Sequence, residues 1–384
     1  MLKPLSAYRP EANKAHLVPS RSVDSYTASQ LLDKLQNNPY SFLQIIQPET
    51  EILLTNEERF ERIRSRLDGF IEAGILRLDQ EECYFLYEQT FQGKTYTGII
   101  GLLDVNEAKI HLHENTLESR ERLFADYLST TGFQAEPILV FGPSSAEQNQ
   151  VIAQVKESKP LFDFYTTNEI GHRLWRINGE MRLVLENILQ RQRDYFLADG
   201  HHRYGSTLKV AQTLPENPEA QKILTMFMDE QEIGIDSFER WLNTTGLTVG
   251  LDKFEKDFEV VKKTSTFKSV ESDLELFWQG QWYSLNFREV IEKSLPPAYL
   301  ISRVLEPYFG IIDAKTDHRI SYIHQESFDQ SKAMLNKGLN LGFRLPPVRV
   351  EVLKKTALAG GIMPPKSTYI EPKLRSGMLL HLFK

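Results

Sequence analysis

The sequence predicts an α/β protein of mixed (α+β) type: a mixed sheet with helices packed on it. Three observations carry that reading. Short apolar runs such as Tyr195-Phe196-Leu197-Ala198 and Ile223 to Met228 alternate with amphipathic stretches at helical spacing. Hydrophobic residues make up 41% and charged ones 25%, an ordinary balance for a globular protein. The 384 residues suffice for one large domain or two to three ordinary ones, and no repeat or low-complexity linker divides them.

The elements follow in order. Thr27 to Leu35 predicts a short helix, started by a hydroxyl residue and stopped by Asn37-Asn38-Pro39. Asn56 to Ala73 predicts a long charged helix, with Phe60, Ile63, Leu67 and Ile71 on one face and Gly74 as its stop. Tyr84 to Tyr87, Tyr96 to Val105 and Lys109 to His113 predict a meander of strands. Ser119 to Leu128 is expected as helix, Pro137 to Phe141 as strand and Gln148 to Val155 as helix. Gly171 to Ile177 is then strand, Met181 to Gln190 helix, and a strand-turn-helix follows at Asp199. The aromatic and charged stretch from Thr245 to Arg288 predicts a subdomain or insertion with a hairpin at Gly280. Tyr299 to Phe309 returns to helix, and Met378 to Phe383 is a final strand. The expected organisation is residues 1–240 with the main site, 241–295 as an added subdomain, and 296–384 packing back on the core.

Charge and cysteine usage exclude several classes. Lys plus Arg is 45 against 52 for Asp plus Glu, a net charge of −7. That balance argues against nucleic acid or an anionic membrane as partner, since both need a basic surface. The single cysteine, Cys83, cannot form an internal disulfide, which fits a cytoplasmic setting. No apolar run reaches signal-peptide or transmembrane length.

The most informative residues are Asp199-Gly200-His201-His202-Arg203-Tyr204. They sit between an apolar strand and a helix. A glycine there lets backbone approach a ligand, and the first N–H groups of a helix favour an anion. Two imidazoles and a guanidinium add donors, so the physics points to an oxyanion, most of all phosphate. The plainer alternative has Asp199 capping the helix and Arg203 pairing with a carboxylate. A second constellation, His111-Leu112-His113-Glu114, puts both histidines on one strand face, with His113 and Glu114 as acid and base or as metal ligands. His-x-His without a third ligand is a weak metal signal, and exposed alternation is the ordinary explanation. A third, Gly360 to Tyr369 with Lys366, Ser367 and Thr368, then Lys373, suits phosphate on a Gly/Pro-shaped loop, though it lacks the order of a P-loop.

Five motifs occur in a fixed order: Asn38 to Leu43, His113 to Thr116, His172 to Trp175, Asp199 to Tyr204 and Met363 to Tyr369. Together they closely resemble domain-of-unknown-function family 1015, over nearly the whole chain. That family carries a Pro-Thr-His-Arg element, here Ser237-Phe238-Glu239-Arg240, which keeps the arginine and loses the histidine. Its Gly-x-His-Arg resembles the nucleotide-phosphate motif of the ParB and sulfiredoxin fold, matched by Gly200, His202 and Arg203. Some ParB-like proteins are kinases of free serine. Sulfiredoxin chemistry needs a cysteine where His201 stands, and no helix-turn-helix supports DNA partitioning.

The resemblance therefore implies an ATP- or ADP-dependent kinase of a small hydroxyl metabolite such as serine, working with Mg²⁺. Arg203 and His202 would hold the phosphates, with Gly200, His201 and Tyr204 completing the turn. Glu114 or Asp199 would be the base or the Mg²⁺ contact, with His202 beside them. Lys366, Ser367 and Thr368 would close over the phosphates or bind the acceptor. Arg122 or Lys373 would take the acceptor's carboxylate and Asp199 its ammonium. The alternatives are a non-enzymatic nucleotide sensor and a metal-dependent hydrolase built on His111, His113, His201 and His202.

Overall fold

The computed structural model describes residues 1–47, 54–245, 250–265, 271–290, 295–324 and 331–384. The chain forms two compact units, Met1–Ile233 with Pro372–Lys384, and Gly234–Glu371. The boundaries thus fall at 233/234 and 371/372, where the sequence suggested 240/241 and 295/296. Parts of the aromatic stretch, 246–249 and 266–270, lie outside the described residues.

The longer helices of the first unit are α1 (Ala28–Asn37), α2 (Asn56–Glu72), α3 (Glu118–Thr131), α4 (Ala146–Lys156), α5 (Gly179–Leu189) and α6 (His201–Thr213). Local chemistry sets their starts. Thr27 accepts from the Gln30 N–H while Gln30 reaches back to the Thr27 N–H, and Thr55 and Glu58 do the same for α2. Phe60, Ile63 and Leu67 form the buried stripe of α2, as their spacing predicts.

Eight strands make one mixed sheet: β1 (Tyr84–Phe91), β2 (Lys94–Asp104), β3 (Lys109–His111), β4 (Ile138–Gly142), β5 (Phe162–Tyr165), β6 (Gly171–Ile177), β7 (Asp194–Asp199) and β8 (Lys222–Asp229). Their spatial order is β3-β7-β4-β8-β2-β1-β6-β5. β7 runs parallel to β3 and β8 parallel to β4, while the other neighbours are antiparallel. Central strands are buried on both faces and so read as continuous apolar runs. One face packs Leu86, Ile99, Val140, Leu197 and Phe227 with Val151, Val155 and Leu185 of α4 and α5. Phe42, Phe60, Leu67, Phe133 and Leu380 form a second apolar cluster. The segment 372–384 returns here: Leu380 bridges Tyr8, and His381–Leu382 pairs with Phe133–Gln134.

The second unit holds an antiparallel sheet of β9 (Glu239–Leu242), β10 (Phe258–Lys262), β11 (Leu274–Trp278), β12 (Gln281–Phe287), β13 (Ile320–Ile323) and β14 (Leu341–Arg344), in the order β10-β12-β11-β14-β9-β13. The expected hairpin is β11–β12, turning at Gln279-Gly280. A helical run from Pro296 to Phe309, with a π-helical centre at Ile301–Leu305, packs Leu300, Val304 and Phe309 on Phe254, Leu276 and Phe343. Gly234–Asp236 pairs antiparallel with Tyr369–Glu371, so the unit begins and ends in one two-stranded ribbon.

Candidate functional site

β7 ends at Asp199, and Gly200 takes φ 100° to turn the chain into α6. Only glycine adopts that backbone readily, and a side chain there would also meet Ile138 Cγ2 at 2.7 Å. Tyr204 N–H donates to the Gly200 carbonyl at 2.9 Å, and Tyr204 itself packs into the core. The N–H groups ahead of Tyr204 in the first turn have no intrahelical acceptor, so α6 presents its positive end at this turn.

Four charged groups meet here. Arg203 Nη2 donates to Asp199 Oδ2 at 2.7 Å, and Lys373 Nζ donates to Asp199 Oδ1 at 3.2 Å. Arg203 Nη1 also lies 3.0 Å from Glu136 Oε1 and donates to the Pro137 carbonyl. Ser376 Oγ donates to the other Glu136 oxygen at 2.8 Å. Burial pushes the Asp199 carboxyl up, but the Lys373 and Arg203 charges overcome it and hold the group below its ordinary value. Arg203 thus occupies the carboxylate pairing that the plainer alternative described, and Lys373, far away in sequence, joins it.

The histidines divide. His201 is 7% exposed and meets His113 edge-to-face at 4.6 Å. Burial, then the neighbouring His113, pulls His201 down to about 3; burial pulls His113 down to about 4 against the Leu197 backbone and the Asp199 charge. Both rings are therefore neutral near pH 7. Glu114 Oε2 lies 4.0 Å from His201 Nδ1. The strand ends at His111 rather than running to His113, so the two histidines do not share a strand face. His111 Nε2 lies 2.8 Å from Asp194 Oδ1 and stacks on Phe196. Among the described residues no three His, Cys, Asp or Glu side chains converge as a metal site. The four-histidine hydrolase thus gains no support from the geometry.

Arg122 lies on an exposed face of α3, its Nη2 donating to Glu118 at 2.6 Å. Glu121, one residue before it, faces α6 and was not singled out in the sequence. Its carboxylate accepts from Thr116 Oγ1 at 2.5 Å and pairs with Lys209 at 3.2 Å. Burial raises it, but Thr116 and Lys209 outweigh that and hold it low. The signal was Gly205: a side chain there would sit 2.2 Å from Glu121 Oε1, so the glycine inside α6 admits this carboxylate.

Lys366, Ser367 and Thr368 belong to the second unit. Lys366 has φ 55°, a strained backbone for a non-glycine residue, and Arg240 Nη2 donates to its carbonyl at 2.8 Å. The Lys366 ammonium lies 5.1 Å over the Phe238 ring, and Ser367 Oγ donates to the Pro364 carbonyl at 2.6 Å. Arg240 therefore braces this loop.

Fold and turn define a mixed α/β protein that presents a cation-flanked helix start at the end of a sheet strand. The chain belongs to the family described as "Protein of unknown function (DUF1015)", which it matches over residues 2–307. No curated protein matches it. Similar solved structures include C-terminally truncated SbnI from Staphylococcus aureus, at 13% identity over 71% of this chain and 82% of that one, with a TM-score of 0.39. A free serine kinase mutant in complex with ADP is 13% identical over 73% of this chain and 91% of its own, with a TM-score of 0.35. A conserved hypothetical protein from Pyrococcus furiosus is 12% identical over 71% and 90%, at 0.32.

Proposed function

We propose that the first unit binds a nucleotide at the Asp199–Arg203 turn and transfers a phosphoryl group to a small hydroxyl metabolite. The observation that carries this reading is the convergence of Arg203 and Lys373 on Asp199 at the open start of α6. Phosphoryl transfer needs positioning and charge neutralisation more than covalent chemistry. The first-turn N–H groups and His202 approach the phosphates, and Lys373 neutralises them. An arriving phosphate replaces Asp199 or Glu136 as a partner of the Arg203 fork.

Asp199 is ionised and held below the ordinary carboxylate range, so it suits charge pairing, including with an acceptor's ammonium, better than proton abstraction. Glu114 is therefore the base. It takes the proton of the acceptor hydroxyl as that oxygen bonds to phosphorus and the bond to the departing nucleotide breaks. Carboxylate oxygens are the donors Mg²⁺ takes, and Glu114 and Asp199 supply them; the ion would neutralise phosphate charge.

The test incubates purified protein with Mg²⁺, ATP or ADP, and L-serine, beside a panel of other hydroxyl metabolites, and seeks O-phosphoserine by mass spectrometry. Glu114→Gln is expected to keep nucleotide affinity and lose about 10²–10⁴-fold in turnover. Phosphorylation of another panel member keeps the kinase and discards serine. Nucleotide binding with no product from any acceptor supports the sensor, and no nucleotide binding sinks both.

A further inference from the structure

Arg375 is 8% exposed, and its Nη2 makes a long contact of 3.5 Å to Asn168 Oδ1. Among the described residues no carboxylate forms an ion pair with it. Buried guanidinium groups elsewhere in the chain are compensated. Arg344 bonds Glu239 at 2.6 Å, and Arg240 donates to two backbone carbonyls. A desolvated charge without such compensation is costly, and the cost is offset when an anion arrives.

The surroundings of Arg375 add positive charge rather than neutralise it. Arg21 sits 4.3 Å over the Tyr26 ring and also has no carboxylate partner among the described residues. Burial lowers the Arg375 pKa and the Arg21 charge adds to that, while Tyr87 and Tyr26 oppose it. His172 stands within electrostatic reach of Arg375, stacked on Tyr87 and Phe164, with its Nδ1 2.7 Å from the Tyr87 hydroxyl. The other ring nitrogen, Nε2, is buried with no hydrogen-bond partner among the described residues. The His172 to Trp175 motif and Arg375 have no part in the Asp199 turn; the returning segment pairs Ser376 with Ser20 and so sets Arg375 beside Arg21, while Arg375 reaches Asn168 in the loop leading into β6, which carries His172.

We propose that Arg375, Arg21 and His172 form a second oxyanion site, distinct from the Asp199 turn, that takes the carboxylate or phosphate of a small molecule. Two guanidinium groups match either oxyanion bidentately, and the His172 ring supplies a further polar contact.

The experiment follows the melting midpoint at constant ionic strength while inorganic phosphate or acetate is titrated. Wild-type protein is expected to gain stability saturably with at least one of them, and which one names the group recognised. Arg375→Met is expected to melt no lower than wild type without anion, because an uncompensated buried charge is gone, and to lose whatever part of the anion response Arg203→Met retains. Arg21→Met, at a less buried position, is expected to weaken the apparent affinity about tenfold or more. Arg203→Met is expected to keep the response. A lower melting point for Arg375→Met with the anion response intact makes Arg375 a structural strut and overturns the proposal. So does loss of the response in Arg203→Met alone, or no response in wild type.

Discussion

At the residue scale the central object is the Arg203 fork. It holds Asp199, Glu136 and the Pro137 carbonyl together and so organises the turn, and the proposed nucleotide site makes it the phosphate's bidentate partner. Arg203→Lys is expected to fail nearly as badly as Arg203→Ala in calorimetric titration with ATP or ADP, because an ammonium cannot make the bidentate contact. Each is expected to lose about 1.5–3 kcal/mol of nucleotide affinity. Wild-type affinity in both, with folding intact, removes Arg203 from the phosphate site. The buried histidines give a second prediction. His113, His172 and His201 have folded-state values of about 4, 3 and 3 against an ordinary 6.5. The unfolded chain therefore binds more protons than the folded one once pH drops below about 6.5. Stability is expected to be level above pH 7 and to decline from about pH 6.5 towards 4. His201→Gln is expected to flatten part of that decline in thermal melts, and an unchanged pH profile refutes the assignment.

At the scale of elements, the turn between β7 and α6 depends on one backbone conformation. Gly200→Ala asks an L-residue to adopt φ 100° and places a methyl against Ile138. It is expected to cost about 1–3 kcal/mol of stability and to misdirect the start of α6, so nucleotide affinity falls as well. Equilibrium denaturation with parallel calorimetry checks this, and an alanine variant with unchanged stability refutes it. The elements themselves were legible where a single period dominates. A hydroxyl start at Thr27 marked α1, the spacing of Phe60, Ile63 and Leu67 marked α2, and Gly171–Ile177 was read to its ends. The short edge strand β5 was not legible, because Phe162-Asp163-Phe164-Tyr165 is too brief to establish alternation. β9 and β14 escaped for another reason. They bury Glu239 and Arg344 as an ion pair, and a paired charge inside a sheet looks like a solvated one in sequence. The same blindness hid Glu121, which resembled any other acid on a charged helix. The Asp199 turn was legible because strand, glycine and cations are contiguous; its partnership with Lys373 was not, because it is made by the fold.

At the scale of the whole molecule, the second unit is an insertion whose ends pair. Gly234 and Glu371 are opposite one another in an antiparallel ribbon, where Cα atoms lie about 5 Å apart. Replacing 234–371 with a short glycine linker is expected to leave a first unit that unfolds cooperatively and keeps its acid-sensitive histidines. The excised 234–371 segment is expected to fold on its own core of Phe254, Leu276 and Phe343. Circular dichroism melts of the two pieces check this. Non-cooperative melting of both, with aggregation, makes the units interdependent.

The return of residues 372–384 also fixes an order in time. A ribosome makes the Asp199 turn about halfway through the chain, but Lys373, Arg375 and Ser376 emerge only after the entire second unit. Until then Asp199 lacks its lysine, Glu136 lacks its serine, and Phe133–Gln134 is an unpaired strand edge. A product of premature termination before Lys373 is therefore born without either cation that the returning segment supplies, however well its sheet has formed. Neither of the two proposed sites can therefore be complete before residues 373–376 have been made.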